Sequence, residues 1–297
     1  MMRILGTIFA GLLGLAFGSF LNVCLSRWPA DESVVQPRSH CRQCGRTLAW
    51  WENVPLVSWL ALRGRCRTCR AWIGWRYPLV ELAVGGLWAL VAWIMLRVTW
   101  SGEPVIYAFD NHYELAGAIG IIVLHWILVA LAVLDAENLW LPNWITLPGI
   151  VLGFIFSVWR NRFIYEMPGS DIGPSPLAPG LMSRLLGILA AAAIILLIRW
   201  VYWLVRRREG IGLGDAKLMA LLAAWLGLPG ALLAFGIGIM LGALAAVVLL
   251  AVPSARRGSE TWAMSKLPLG TFLCIGGIVS SLWGGLILDA YYRWAGF

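Results

Sequence analysis

The sequence predicts an all-α polytopic membrane protein of about eight transmembrane helices, with a small cytoplasmic four-cysteine insert between the first two. Three observations predict it. The 297 residues are 60% hydrophobic and only 13% charged, whereas an average soluble domain has roughly 45–50% apolar and about 25% charged residues. A soluble fold of this size cannot hide so much apolar surface, so lipid must cover the excess. Apolar runs of near-spanning length recur along the chain, and two CxxC pairs sit in one arginine-rich interval.

The runs fall at 4–25, 77–98, 115–134, 143–159, 181–205, 214–228, 230–252 and 267–289. A helix needs about 20 residues to cross ~30 Å of hydrocarbon, and most of these meet that length. Membrane strands would alternate apolar and polar residues, which these runs do not. The first run is longer than the ~7–15 residues of a signal-peptide core and leads straight into Arg27, so it reads as a retained span. The run at 214–228 is short, about 22 Å as a helix. Pro229-Gly230 then predicts a tight turn into the next span. The 19 tryptophans suit membrane–water interfaces.

Arginine placement predicts the orientation. With the first span exiting into the cytoplasm, sixteen Lys or Arg fall on inside segments and six outside. Both termini then face outward, and 27–76 is cytoplasmic. The net charge of +8 is accounted for by this topology, so no nucleic-acid partner is expected. Three segments follow: a first helix over 1–26, the insert over 27–76, and a seven-helix core over 77–297. Residues 160–180, rich in Gly, Pro and Ser, read as an outward linker. No repeat supports an inverted-repeat transporter.

Within the insert, Cys41-Arg42-Gln43-Cys44 and Cys66-Arg67-Thr68-Cys69 are separated by 21 residues. Each pair can place two thiolates on one ion, and two pairs complete a closed tetrahedral site of the structural zinc type. Disulfides are the alternative, disfavoured by a reducing cytoplasm. Cys24 and Cys274 lie in spans and read as packing residues.

Ionisable residues at membrane depth are expensive and commonly functional. The spans and their edges offer Glu81, His125, Asp135, Glu137, Asp215 and Asp289. Asp135 ends the third span and Asp215 opens the sixth, both at the cytoplasmic face although 80 residues apart. Two such carboxylates can share one proton, the ionised one activating water and the protonated one stabilising an oxyanion. Gly210, Gly212 and Gly214 would let the backbone approach an extended peptide, with Lys217 in the same loop. The alternatives stay open: Asp215 as a helix cap, Asp135 as an interface charge. His125 reads as a packing residue, Asp289 as an outer interface anchor, Glu81 as half of a structural ion pair, and Glu137 as second to Asp135.

At these residues the chain resembles the type IV prepilin peptidases, GxGD-type intramembrane aspartic peptidases that also act as N-methyltransferases. The resemblance rests on Gly18-Ser19-Phe20-Leu21-Asn22-Val23, the paired CxxC motifs flanking Asn53-Val54-Pro55, and Arg76-Tyr77-Pro78-Leu79-Val80-Glu81. It continues in Asp135 with Leu141-Pro142-Asn143, and in Gly212-Leu213-Gly214-Asp215-Ala216-Lys217. It implies cleavage of the basic leader of prepilins or pseudopilins by Asp135 and Asp215, in a pilus or type II secretion system. It further implies N-methylation of the new amino terminus with S-adenosylmethionine as donor, in the bacterial inner membrane. The first pair departs slightly, lacking the proline that often follows the first cysteine. A transporter, or a non-catalytic assembly scaffold with a zinc docking module, is the competing expectation.

Overall fold

A computed structural model of the chain describes residues 2–98, 112–165, 180–207, 212–251 and 267–296. The linker expected around 160–180 lies mostly outside these residues, as does Gly210. Among the described residues there is no strand, only two isolated bridges. The helices are α1 (Met2–Arg27), α2 (Val57–Ala61), α3 (Arg76–Val98), α4 (His112–Asn138), α5 (Asn143–Tyr165), α6 (Leu181–Arg206), α7 (Leu213–Ala251) and α8 (Leu269–Ala295). Six of them are long and apolar enough to cross a membrane, and Asn143–Trp159 is a shorter apolar helix. The chain divides into two compact units, Met1–Ala130 and Leu131–Phe297, with the boundary inside α4.

In the first unit α1 and α3 pack antiparallel through small residues. A Cβ on Gly14 would come within 2.9 Å of the Gly85 Cα, and one on Gly18 within 2.8 Å of the Glu81 Cα. Lipid tails give helices no hydrophobic drive to associate, so close backbone approach and dispersion must hold this seam. Asn22 continues the register, its Nδ2 donating to the Tyr77 carbonyl at 2.9 Å. Away from the seam, α1 presents Ile8, Phe9 and Leu12 outward, as a lipid-facing surface requires. The Trp126 indole N–H donates to the Phe17 carbonyl at 3.3 Å and ties α4 to α1. Between α1 and α3 the insert is held by turns and a tryptophan cluster, Trp59, Trp72 and Trp75, with ring centroids 4.6 to 5.9 Å apart.

In the second unit α7 is broken at Gly227, where φ is 76° and ψ is 170°. Only a residue without Cβ adopts that conformation freely. Pro229 falls in the first turn beyond the break, where its locked φ suits a helix start and its missing N–H is not needed. The turn therefore sits two residues ahead of the Pro229-Gly230 pair that predicts it in the sequence. The leg 213–226 runs away from Asp215. The second leg returns, with Gly230 beside Ser280, Gly238 beside Leu273 and Gly242 beside Phe272. These contacts climb α8 toward its first turn, so the legs form an antiparallel hairpin. The first leg is anchored to α5 by the Trp225 indole, which donates to the Gly149 carbonyl at 2.9 Å.

Candidate active site and metal centre

The two CxxC segments fold as matched knuckles. The Cys41 N–H donates to Arg46 O at 2.9 Å and Gly45 N–H returns to Cys41 O at 2.8 Å. In the same register the Cys66 N–H donates to Ala71 O at 2.8 Å and Arg70 N–H to Cys66 O at 3.0 Å. The fifth residue of each knuckle is left-handed, Gly45 at φ 70° and Arg70 at φ 58°. The repeat is of turn geometry more than of sequence, and a search for long periods misses it.

All four sulfurs lie within 4.8 Å of one another, and Cys41 Sγ to Cys69 Sγ is 3.7 Å. A tetrahedron of thiolates around an ion with bonds of about 2.3 Å has edges of about 3.8 Å, so the set fits one metal ion. None of the cysteines is in a disulfide. Backbone N–H groups of Cys69 and Thr68 aimed at the Cys66 sulfur push its pKa down to about 6, while burial and the neighbouring sulfurs push Cys69 up to about 11, so Cys66 ionises before Cys69. Beside the cluster Arg46 pairs with the buried Glu52 at 2.6 Å. That guanidinium holds the Glu52 carboxyl below the usual carboxylate range. Glu52 also accepts from the Ala49 N–H at 2.8 Å, which fixes the chain leaving the first knuckle.

Asp135 sits in the last turn of α4 and Asp215 in the first turn of α7, both buried. Their surroundings are shared. Leu141 lies 3.0 Å from a Cβ built on Gly214 and 3.1 Å from one built on Gly270. The Gly270 position in turn lies 2.8 Å from Asp135 Oδ2. The carboxylates are near enough to interact electrostatically, and both act on Cys274, which is buried in α8. A bulkier residue at 270 would displace the Asp135 carboxylate.

Each aspartate is aimed by a backbone donor. Thr271 N–H donates to Asp135 Oδ2 at 2.7 Å. The Thr271 hydroxyl donates to the Ala132 carbonyl at 2.9 Å and lies 3.3 Å from the same Oδ2. A hydroxyl carries one proton, and the shorter bond claims it. Gly212 N–H donates to Asp215 Oδ2 at 3.3 Å. Asp215 thus does serve its own helix start. Gly212 is exposed, and Gly214 is pressed against Leu141. Lys217 is not directed at a free loop: its Nζ donates to Asn143 Oδ1, tying the first turns of α7 and α5 together.

The segment joining α4 to α5 is shaped around the pair. Leu139 N–H closes on Asp135 O at 2.9 Å, with Leu139 left-handed at φ 51°. Pro142 O then accepts from Thr146 N–H at 3.0 Å and from the Thr146 hydroxyl at 3.1 Å, starting α5. The sequence reading misses Gly270 and Thr271. Their signal is a polar Gly-Thr step at the head of an apolar run, just after Pro268. Of the remaining candidates, His125 is fully buried in α4, and Glu137 and Asp289 are exposed. Glu81 is buried but makes no ion pair among the described residues. It accepts instead from the Leu56 N–H at 2.8 Å.

Comparison with known proteins gives a consistent set. The family model described as the bacterial peptidase A24 N-terminal domain matches residues 12–95, and that of the type IV leader peptidase family matches 122–247. A Pseudomonas aeruginosa protein named prepilin leader peptidase/N-methyltransferase is 34% identical, over 96% of this chain and 93% of its own length. Proteins of the same name from Myxococcus xanthus and Stutzerimonas stutzeri are 37% and 34% identical, over 89% and 96% of this chain. They are covered over 68% and 93% of their own lengths. No solved structure matches.

Proposed function

This chain belongs to the type IV leader peptidase family, and on that premise we propose that it cleaves the basic leader from prepilin-like precursors and methylates the new amino terminus. The convergence of Asp135 and Asp215, from opposite ends of a 80-residue interval, onto Leu141 and the head of α8 carries the peptidase half. Two adjoining carboxylates hold one proton between them. The ionised member takes a proton from water as the water attacks the scissile carbonyl. The protonated member donates a hydrogen bond to the oxygen on which charge develops, and the proton taken from water passes from the pair to the leaving amine as the scissile C–N bond breaks. Thr271 and Gly212 orient the two carboxyls through N–H donors. The exposed backbone at Gly212 and Leu213 offers an edge on which an extended substrate can lie. Lys217 acts there through Asn143, holding the loop's position.

The four thiolates fit zinc, with Cys41, Cys44, Cys66 and Cys69 as a closed structural set. The ion would staple an insert too small to build its own core. S-adenosylmethionine is the methyl donor on this reading. The hairpin at Gly227 supports counting α7 as two spans, and with Asn143–Trp159 as another the total is eight. The arginine distribution supports a cytoplasmic insert, with the termini outside, in the bacterial inner membrane. The functional division is the insert over 27–76 and the aspartate-bearing core over 77–297.

The test is co-incubation of the full protein, in detergent or liposomes, with a precursor bearing a basic leader and an apolar helix, with and without S-adenosylmethionine. Mass spectrometry is expected to find leader loss in both and one added methyl only with the donor. An intact precursor in both arms would refute the reading.

A further inference from the structure

Glu81 is 7% exposed and stands where α3 crosses Gly18 of α1. One turn along the same antiparallel seam, Asn22 is 2% exposed and donates its Nδ2 to Tyr77 O. The Ser19 hydroxyl reaches the Glu81 carboxylate from the same face of α1. The insert supplies a third side. Leu56 donates its N–H to Glu81 Oε2 at 2.8 Å from a γ-turn with φ 58° and ψ −48°, closed by Val57 N–H on Pro55 O at 2.6 Å. Such a turn is rare and strained for a residue with a Cβ.

Helix packing leaves two features of this seam unexplained. Glu81 has no cationic partner among the described residues. The ion pair found there joins Arg46 to Glu52, and Arg76 donates to Ser26 Oγ at 2.6 Å. The Asn22 Oδ1 is buried and accepts no hydrogen bond. Its orientation is settled chemically, because only the Nδ2 can face the Tyr77 carbonyl. A buried carboxylate without a cation and a buried carbonyl oxygen without a donor are each costly. Both deficits are met by one ligand, a compact cation carrying N–H groups.

We infer that the Glu81–Asn22 seam binds a primary ammonium group and that Glu81 removes its proton for methyl transfer. An ammonium has three donors, enough for Glu81, Asn22 and Ser19. An α-amino group has an ordinary pKa of about 7.7–8.0 and attacks only as the neutral amine. One proton passes from nitrogen to the Glu81 carboxylate, and the freed lone pair forms the new N–CH3 bond. The methyl–sulfur bond of the donor breaks, its electron pair stays on sulfur, and the sulfonium becomes a neutral thioether. The proton then leaves Glu81 for solvent. The strained Leu56 turn is the part of the wall with least to lose by shifting for the ligand.

This inference rests on the reading of the chain as an N-methyltransferase. Two primary ammonium groups belong to that reaction: the new amino terminus of the substrate and the amino-acid end of S-adenosylmethionine. The test uses the full protein with Glu81→Gln, which keeps an oxygen for the Leu56 N–H, and with Asn22→Leu. Leader cleavage, metal content and methylation of a pre-cleaved peptide with a free amino terminus are measured. Glu81→Gln is expected to slow methylation by about 10²–10⁴-fold, the range for losing a general base. Cleavage and metal content are expected within about twofold of wild type, a margin smaller than one hydrogen bond's worth. Asn22→Leu is expected to raise KM. A rise for the peptide supports the inference, and a rise for S-adenosylmethionine alone overturns it, because the donor's ammonium is not the nitrogen that is methylated. Normal methylation by Glu81→Gln overturns the inference, as does loss of cleavage and metal in step with methylation. Wild-type protein that cleaves but never methylates overturns it together with the transferase reading.

Discussion

Thr271 holds the Asp135 carboxylate from the head of α8. Its N–H and hydroxyl both address the neighbourhood of Asp135, one on Oδ2 and the other on Ala132 O. Thr271→Val keeps the N–H and the shape but loses the hydroxyl. The loss of one such bond is worth about 0.5–1.5 kcal/mol. Stability is therefore expected to fall by about that amount, read by melting, and cleavage by no more than roughly tenfold, read by initial rates. Gly270→Ala is a harsher change, because its Cβ would stand 2.8 Å from Asp135 Oδ2. The aspartates themselves were legible in the sequence because charge at the end of an apolar run is conspicuous. Thr271 was not, since a lone hydroxyl at the head of a helix has many ordinary uses. Glu81 was legible as a position but not in its bonding: its partner is a backbone N–H from Leu56, and no residue type announces that.

At the scale of elements, the knuckles and the α7 hairpin make different demands on backbone conformation. The left-handed position of the second knuckle is filled by Arg70, at φ 58°, where the first uses Gly45. A residue with Cβ costs about 1 kcal/mol more there. Arg70→Gly is expected to stabilise the insert by about that amount, and Gly45→Val to weaken it at least as much. Resistance of bound metal to a chelator reads both. Gly227 carries a comparable burden in the hairpin, where φ is 76°. The sequence showed a turn nearby but favoured Pro229-Gly230, because a Pro-Gly pair is a stronger local signal than a glycine inside an apolar run. The structure uses that proline for starting the returning leg. Helix length was legible throughout. The pairing of helices was not, because it depends on glycines such as Gly14 and Gly18 meeting a partner that is distant in sequence.

For the whole molecule, the sequence already separates a basic insert bearing four cysteines from an apolar core, and relatives match the chain nearly end to end. Spacing can nominate two aspartates, but only the fold brings α4, α7 and α8 to one site. The central claim is that Asp135 and Asp215 work as one catalytic pair. The most direct measurement is leader cleavage by Asp135→Asn and Asp215→Asn, each purified in membranes alongside wild type with its metal content checked. Each variant is expected to insert and to match the wild-type metal content but to cleave at least about 10²-fold more slowly, with the double variant hardly worse than either. Near-normal cleavage by either single variant would contradict it.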